Sequence, residues 1–220
     1  MRVILTGATG TAGSAALEVC LRDPRVEQVT VVGRRPPDRT DPKLKSVVLS
    51  DFLDWSKLGP ELADHDVCLW CLGISQSQVN EAEYRVITVD YTLAAARALM
   101  DANPKLVFCF LSGQGADTQE RSWMLFGRVK GHAENELLKL GLPVYCFRPG
   151  YIHGQAPGRT LRFQEKLGRA FVPLLRRTRS MMVEAEDLGR AMLQVARHGA
   201  PQPILENADI LGLAEANRAP

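Results

Sequence analysis

A doubly wound α/β fold, a parallel sheet with a small C-terminal cap over its carboxyl edge, is what this sequence predicts, on three observations. Short apolar runs alternate with amphipathic helical segments through the first 150 residues, the signature of βαβ units. Glycine recurs at every third position in Gly7-Ala8-Thr9-Gly10-Thr11-Ala12-Gly13, between the first apolar run and the first helical segment. The 220 residues are 45% hydrophobic and 24% charged, enough apolar material for one such domain and not the composition of a disordered chain.

The first strand is expected over 2–6 and the first helix over 12–22, stopped by Pro24. Strands follow over 28–33, 46–49 and 67–72. A helix over 81–102 ends at Asn103-Pro104, a fifth strand spans 106–112, and a helix over 127–140 stops at Gly141-Leu142-Pro143 before the strand over 144–148. Short connections between parallel strands imply right-handed crossovers. After Pro149 the pattern changes, with helical segments over 161–171 and 184–198, an apolar piece over 203–205 and a last segment over 208–216. This tail is too interrupted for a core of its own. One domain over 1–220 is therefore expected, with 151–220 covering the carboxyl edge where doubly wound folds bind ligands.

Several function classes recede on composition. A net charge of +2 is too small to argue for nucleic acid or an anionic membrane, and Arg176-Arg177-Thr178-Arg179 reads as a solvated face. No apolar stretch reaches a membrane span, and no metal site is expected. The five cysteines, Cys20, Cys68, Cys71, Cys109 and Cys146, lie mostly in apolar runs and read as buried thiols of a reducing compartment. Cys68 and Cys71 have redox-motif spacing, but residues three apart on a strand face opposite sides. Trp55, Trp70 and Trp123 read as core or edge packing. The first strand begins almost at Met1, which leaves no room for a leader, so a cytoplasmic protein is expected.

The glycine turn carries the chemistry. Where a backbone closes on a pyrophosphate, a Cβ obstructs the approach, and a helix opening there adds amide donors and the positive end of its dipole. Gly7, Thr9, Gly10, Thr11, Ala12 and Gly13 are thus candidates to hold a dinucleotide, as in a Rossmann fold. The second strand ends in Gly33-Arg34-Arg35 with no acidic residue, which suits the 2′-phosphate of NADP(H) over the free ribose of NAD(H). A solvated arginine pair is the alternative. Asp51 and Phe52, after the third strand, are candidates for the adenine, and Cys71-Leu72-Gly73 for the cofactor-lining end of the fourth strand.

With these pieces in view, the chain resembles the atypical short-chain dehydrogenase/reductases, most closely the subgroup of Tat-interacting oxidoreductase-like proteins and their fungal mitochondrial relatives. The resemblance rests on the glycine turn, Val32-Gly33-Arg34-Arg35, Cys71-Leu72-Gly73, Val89-Asp90-Tyr91 and Leu111-Ser112-Gly113-Gln114-Gly115-Ala116-Asp117. Val129-Lys130-Gly131, Phe147-Arg148-Pro149-Gly150 and Leu205-Glu206-Asn207 extend it across nearly the whole chain. It implies an NADP(H)-bound Rossmann fold, with Pro149, Gly150, Tyr151 and Ile152 beside the cofactor. Active members pair a tyrosine acid with a lysine four residues on, which also holds the nicotinamide ribose, and use a serine at the end of strand five. Lys130 and Ser112 match the lysine and serine, while the tyrosine position is Phe126, which has no proton to give. His153, His132 and Tyr91 are weaker candidates to replace it.

Two readings follow. The first is an oxidoreductase moving hydride from NADPH to a small apolar or aromatic acceptor such as a quinone, flavin or carbonyl. The second is a catalytically silent NADPH-binding redox sensor that acts through a protein partner. An open pocket above the nicotinamide favours the enzyme, and a plugged one the sensor.

Overall fold

The computed structural model of the protein describes residues 1–58, 62–154 and 181–216. The strands β1 (Arg2–Thr6), β2 (Gln28–Gly33), β3 (Leu44–Val48), β4 (Val67–Trp70), β5 (Val107–Leu111), β6 (Val144–Arg148) and β9 (Ile204–Glu206) share one sheet in the order β3-β2-β1-β4-β5-β6-β9. Every pairing in it is parallel. A separate parallel pair joins β7 (Tyr151–His153) to β8 (Met182–Glu184). From β1 the chain winds outward through β2 and β3, then returns to place β4 on the other flank of β1. The carboxyl ends of β1 and β4 therefore diverge and leave a crevice, the switch point at which such sheets bind ligands.

Two core layers sandwich the sheet. On one face Val3, Leu5, Val29, Val31, Leu69 and Phe147 pack with α1 (Thr11–Arg22), α5 (Ala185–His198) and α6 (Asn207–Ala216). On the other, Ile4, Val32, Trp70, Phe108 and Phe110 pack with α3 (Tyr91–Ala102) and α4 (Leu125–Leu138). Alternate strand residues thus enter opposite cores, as a pleat requires. Cys68 and Cys71 join different layers, and all five cysteines are buried free thiols.

The helix expected over 81–102 is divided. A capping box between Asn80 and Glu83 starts α2 (Glu81–Arg85), and a π-type wide turn, Val86–Asp90, joins it to α3. β4 ends at Trp70, short of the expected residue 72, because the Leu72 N–H turns to donate to Thr6 Oγ1 at 3.2 Å. Trp123 corrects another expectation: it is 89% exposed, projecting from the turn before α4.

The tail differs most. β9 extends the main sheet beside β6, and α5 packs along α1 with α6 against it. Residues 185–216 therefore complete the sheet and one helical layer instead of capping the carboxyl edge. The buried stripe of Leu188, Ala191, Met192 and Val195 on α5 matches the sheet face that α1 leaves bare. The helix expected over 161–171 and the basic run at Arg176–Arg179 lie outside the described residues.

Candidate functional site

A cleft of about 1040 Å³ opens at the switch point. One end is formed by Thr9, Gly10, Thr11, Ala12 and Gly13, with Arg34 and Arg35 at its side. It runs past Cys71, Leu72 and Gly73 to Ser112, Met124, Phe126, Lys130 and Ile152.

The turn is shaped by the chain's own packing at two of its glycines. Gly7 has φ +68° and a Cβ there would meet the Cys71 carbonyl oxygen at 2.4 Å; a Cβ on Gly13 would meet the Gly7 oxygen at 2.2 Å. Gly10 is different: its Cβ would have only the Gly7 oxygen near, at 3.3 Å. The protein crowds Gly10, which borders the cleft, less than the other two, although 3.3 Å to a backbone oxygen is already a tight contact for a Cβ. No side chain caps α1, so the amide donors of its first turn are left for a ligand. Arg34 and Arg35 are exposed at the end of β2. The residues present fit the diphosphate and ribose phosphate of a dinucleotide.

At the far end, α4 presents Lys130 and Glu134 four residues apart on the face that packs against β5 and β6. Lys130 is 8% exposed; its Nζ donates to the Leu111 carbonyl at 2.8 Å and lies 4.6 Å from the centre of the Phe110 ring. Burial pulls its pKa down to about 8, with Glu134 working against the shift. The Ser112 hydroxyl donates to Glu134 Oε1 at 2.5 Å. Glu134, wholly buried, is gripped by Arg148, Nε to Oε1 at 3.0 Å and Nη2 to Oε2 at 2.5 Å, and Arg148 also reaches Glu206. Phe126 lines the cleft with its ring tip against Gly113, and its N–H donates to the Gln76 side-chain carbonyl at 2.9 Å, tying α4 to the opposite wall.

Some candidates sit elsewhere. Phe52 is 2% exposed, stacked on Tyr91 with ring centres 5.6 Å apart, while exposed Asp51 accepts the Leu53 N–H, and neither lines the cleft. Gly7 lies behind the cleft, and Pro149, Gly150 and Tyr151 are not part of its wall; the Gly150 N–H is spent on Asn207 Oδ1. None of the three replacement acids reaches it. His132 pairs with Glu120, Tyr91 is stacked on Phe52, and His153 lines a separate hollow with Thr11 and Ala185. Ile74, Ser75, Gln76, Gln78, Tyr84 and Met124 line the cleft without having been singled out from sequence. Glu134 was also missed, although its position four residues beyond Lys130 was a legible signal.

Among the described residues no cluster of His, Cys, Asp or Glu is placed to hold a metal ion, and no helix is long and apolar enough to cross a membrane.

No family model matches the chain. Curated relatives do. The chain is 26% identical over 220 residues to Protein FMP52, mitochondrial, of Candida albicans, covering 96% of this chain and 95% of that protein. It is 30% identical over 161 residues to Protein fmp52, mitochondrial, of Aspergillus fumigatus, covering 70% and 67%. Protein HTATIP2 of Rattus norvegicus is 28% identical over 225 residues, covering 99% and 91%. Among solved structures, a short-chain dehydrogenase/reductase of Saccharomyces cerevisiae superposes with a TM-score of 0.69 at 16% identity, covering 97% of this chain and 98% of that one. Uronate dehydrogenase of Agrobacterium tumefaciens gives 0.66 at 19% identity, covering 99% and 86%. The fold is thus the NAD(P)-binding Rossmann fold. The mitochondrial names of the FMP52 relatives overturn the expectation of a cytoplasmic protein. That expectation rested on where β1 begins, and the position of a strand carries no information about destination.

Proposed function

Because the chain belongs to the atypical short-chain dehydrogenase/reductases, alongside the FMP52 and HTATIP2 proteins, we propose that it is an NADP(H)-dependent oxidoreductase acting on a small apolar or aromatic acceptor: a quinone, a flavin or a carbonyl compound. The observation that carries this reading is the continuity of the cleft. One open groove joins the glycine turn and the two arginines to Lys130, Ser112 and Phe126, with Met124, Leu72 and Ile74 supplying apolar wall.

In this reading the amides at the start of α1 bind the diphosphate, Arg34 and Arg35 take the 2′-phosphate, and Lys130 holds the nicotinamide ribose. The dinucleotide, when bound, supplies hydride. Phe126 cannot donate a proton, and none of His132, His153 and Tyr91 lies in the cleft. The proton comes from solvent, from the Lys130 ammonium, from the Tyr84 phenol that borders the cleft, or is managed by the acceptor itself, as quinones and flavins do more readily than simple ketones.

The test is a screen of NADPH oxidation against quinones, flavins and carbonyls. Turnover with a quinone or flavin is expected, faster than with any aldehyde or ketone. Phe126 also favours a second reading, a catalytically silent NADPH-binding redox sensor acting through a protein partner. Tight NADPH binding with no acceptor reduced would make it the better account.

A further inference from the structure

We infer that Glu134 is a positioning residue that fixes the Ser112 hydroxyl as a hydrogen-bond acceptor toward the cleft, so that this point of the site selects a hydroxyl group over a carbonyl. The inference rests on the reading of the cleft as an acceptor site and deepens it.

The argument is one of hydrogens. Glu134 is fully buried, and two of Arg148's donors meet its two oxygens, the bidentate pairing of a guanidinium with a carboxylate. An ionised carboxylate can only accept. At 2.5 Å between Ser112 Oγ and Glu134 Oε1, the hydrogen must come from the serine. A serine hydroxyl has one hydrogen, and the buried carboxylate takes it. What Ser112 offers to the cleft it lines is lone pairs alone.

A carbonyl oxygen facing those lone pairs gains nothing, and the meeting of two acceptors is repulsive. A hydroxyl can donate to them. Lys130, another polar side chain of the cleft, remains a donor from its ammonium. Ser112 thus offers an acceptor and Lys130 a donor; a hydroxyl can meet both, whereas a carbonyl can meet only the donor. The reduced member of the redox pair, an alcohol or a hydroquinone, is the one the site holds better.

The test needs no turnover. Cyclohexanol and cyclohexanone have nearly the same size and apolar surface but differ in having a hydrogen to donate. Their dissociation constants for the full chain are measured by ligand-observed NMR, with and without NADP⁺. The alcohol should bind about five- to tenfold tighter, the value of one net hydrogen bond. Ser112→Ala, which leaves the Glu134–Arg148 pair intact, should erase the preference. Glu134→Leu, which removes the acceptor, should erase or reverse it by freeing the serine hydrogen. The ratio of the two constants does not depend on how much protein is folded, so a partly unstable Leu variant still reports. Equal affinities in the wild type, no binding of either probe, or a preference that survives Ser112→Ala would overturn the proposal. Failure to bind or oxidise NADPH would sink the oxidoreductase reading while leaving the alcohol-to-ketone ratio unaffected.

Discussion

Phe126 lies tip-on against Gly113: a Cβ built at Gly113 would come within 2.7 Å of Phe126 Cζ. The ring at the position of the family's tyrosine therefore occupies the space that a missing side chain leaves at the end of β5. A hydroxyl added at Cζ would be driven toward the Gly113 backbone instead of into the open groove. Phe126→Tyr is accordingly expected to leave aldehyde reduction within tenfold of the wild type. General acid catalysis contributes about 10²–10⁴-fold. A gain of that size, read as NADPH oxidation with an aldehyde, would show that only the acid was missing and that Ser112 and Lys130 already serve carbonyl reduction.

Lys130 gives a pH prediction. Its pKa, brought down to about 8 by burial, means that its ammonium form is lost as pH rises through that value. Affinity for NADPH should decline as pH rises above 8, where the neutral amine no longer attracts the anionic ligand. Lys130→Met should bind more weakly and show no such decline. An identical pH dependence in Lys130→Met would assign the titration to another group.

Asp23 gives a stability prediction. At the C-terminal end of α1 it accepts bonds from Arg197 Nη2 at 2.5 Å and from Arg25 Nε at 3.0 Å, and so ties α1 to the end of α5. Burial works to raise its pKa, but the hydrogen bonds from Arg25 and Arg197 overcome that and hold the carboxyl well below its usual range. A carboxylate with a depressed folded-state pKa contributes stability that is full above its unfolded value near 3.8 and lost as pH falls through the folded one. Asp23→Ala should lower unfolding free energy by about 2–3 kcal/mol at pH 7, since it strands the buried Arg197 charge. In chemical denaturation the difference between variant and wild type should shrink in strong acid. A difference constant from pH 7 to pH 2 would contradict the assignment.

The strands β1, β2 and β6 were legible to the residue, because short apolar runs between clear stops leave few alternative frames. So was the alternation that sends Cys68 and Cys71 to different layers. The place of residues 204–206 was not legible because an edge strand of three residues, of which only Leu205 is buried, has too few positions to show a period. At the site, glycine spacing pointed to the turn and a family pattern to Ser112 and Lys130. Phe52 was misplaced because apolar loop residues beside a strand end look alike whether they face a ligand or, as here, Tyr91 and Trp70. Glu134 and Arg148 meet across a helix and a strand fourteen residues apart in sequence, a contact that no local pattern encodes.

Cofactor preference follows from the end of β2. Arg34 and Arg35 flank the cleft and no acidic residue accompanies them in its wall there. Charge-assisted hydrogen bonds contribute roughly 1.5–3 kcal/mol, so NADPH should bind about tenfold or more tighter than NADH. The Arg34→Ala/Arg35→Ala double variant should bind the two alike. Equal affinities in the wild type, or an unchanged preference in the double variant, would refute the 2′-phosphate assignment.

The most direct measurement for the whole account is calorimetric titration of NADPH into the wild type and into Gly10→Val. A Cβ at Gly10 meets only the Gly7 oxygen, at 3.3 Å, a tight contact that a shift of a few tenths of an ångström relieves, whereas one at Gly7 or Gly13 would collide with backbone. Gly10→Val should therefore retain its circular dichroism and cooperative unfolding, yet bind NADPH at least 100-fold more weakly, because the valine blocks the approach of the diphosphate to the start of α1. A folded Gly10→Val protein that binds NADPH with wild-type affinity would show that the glycine turn is not where the dinucleotide sits.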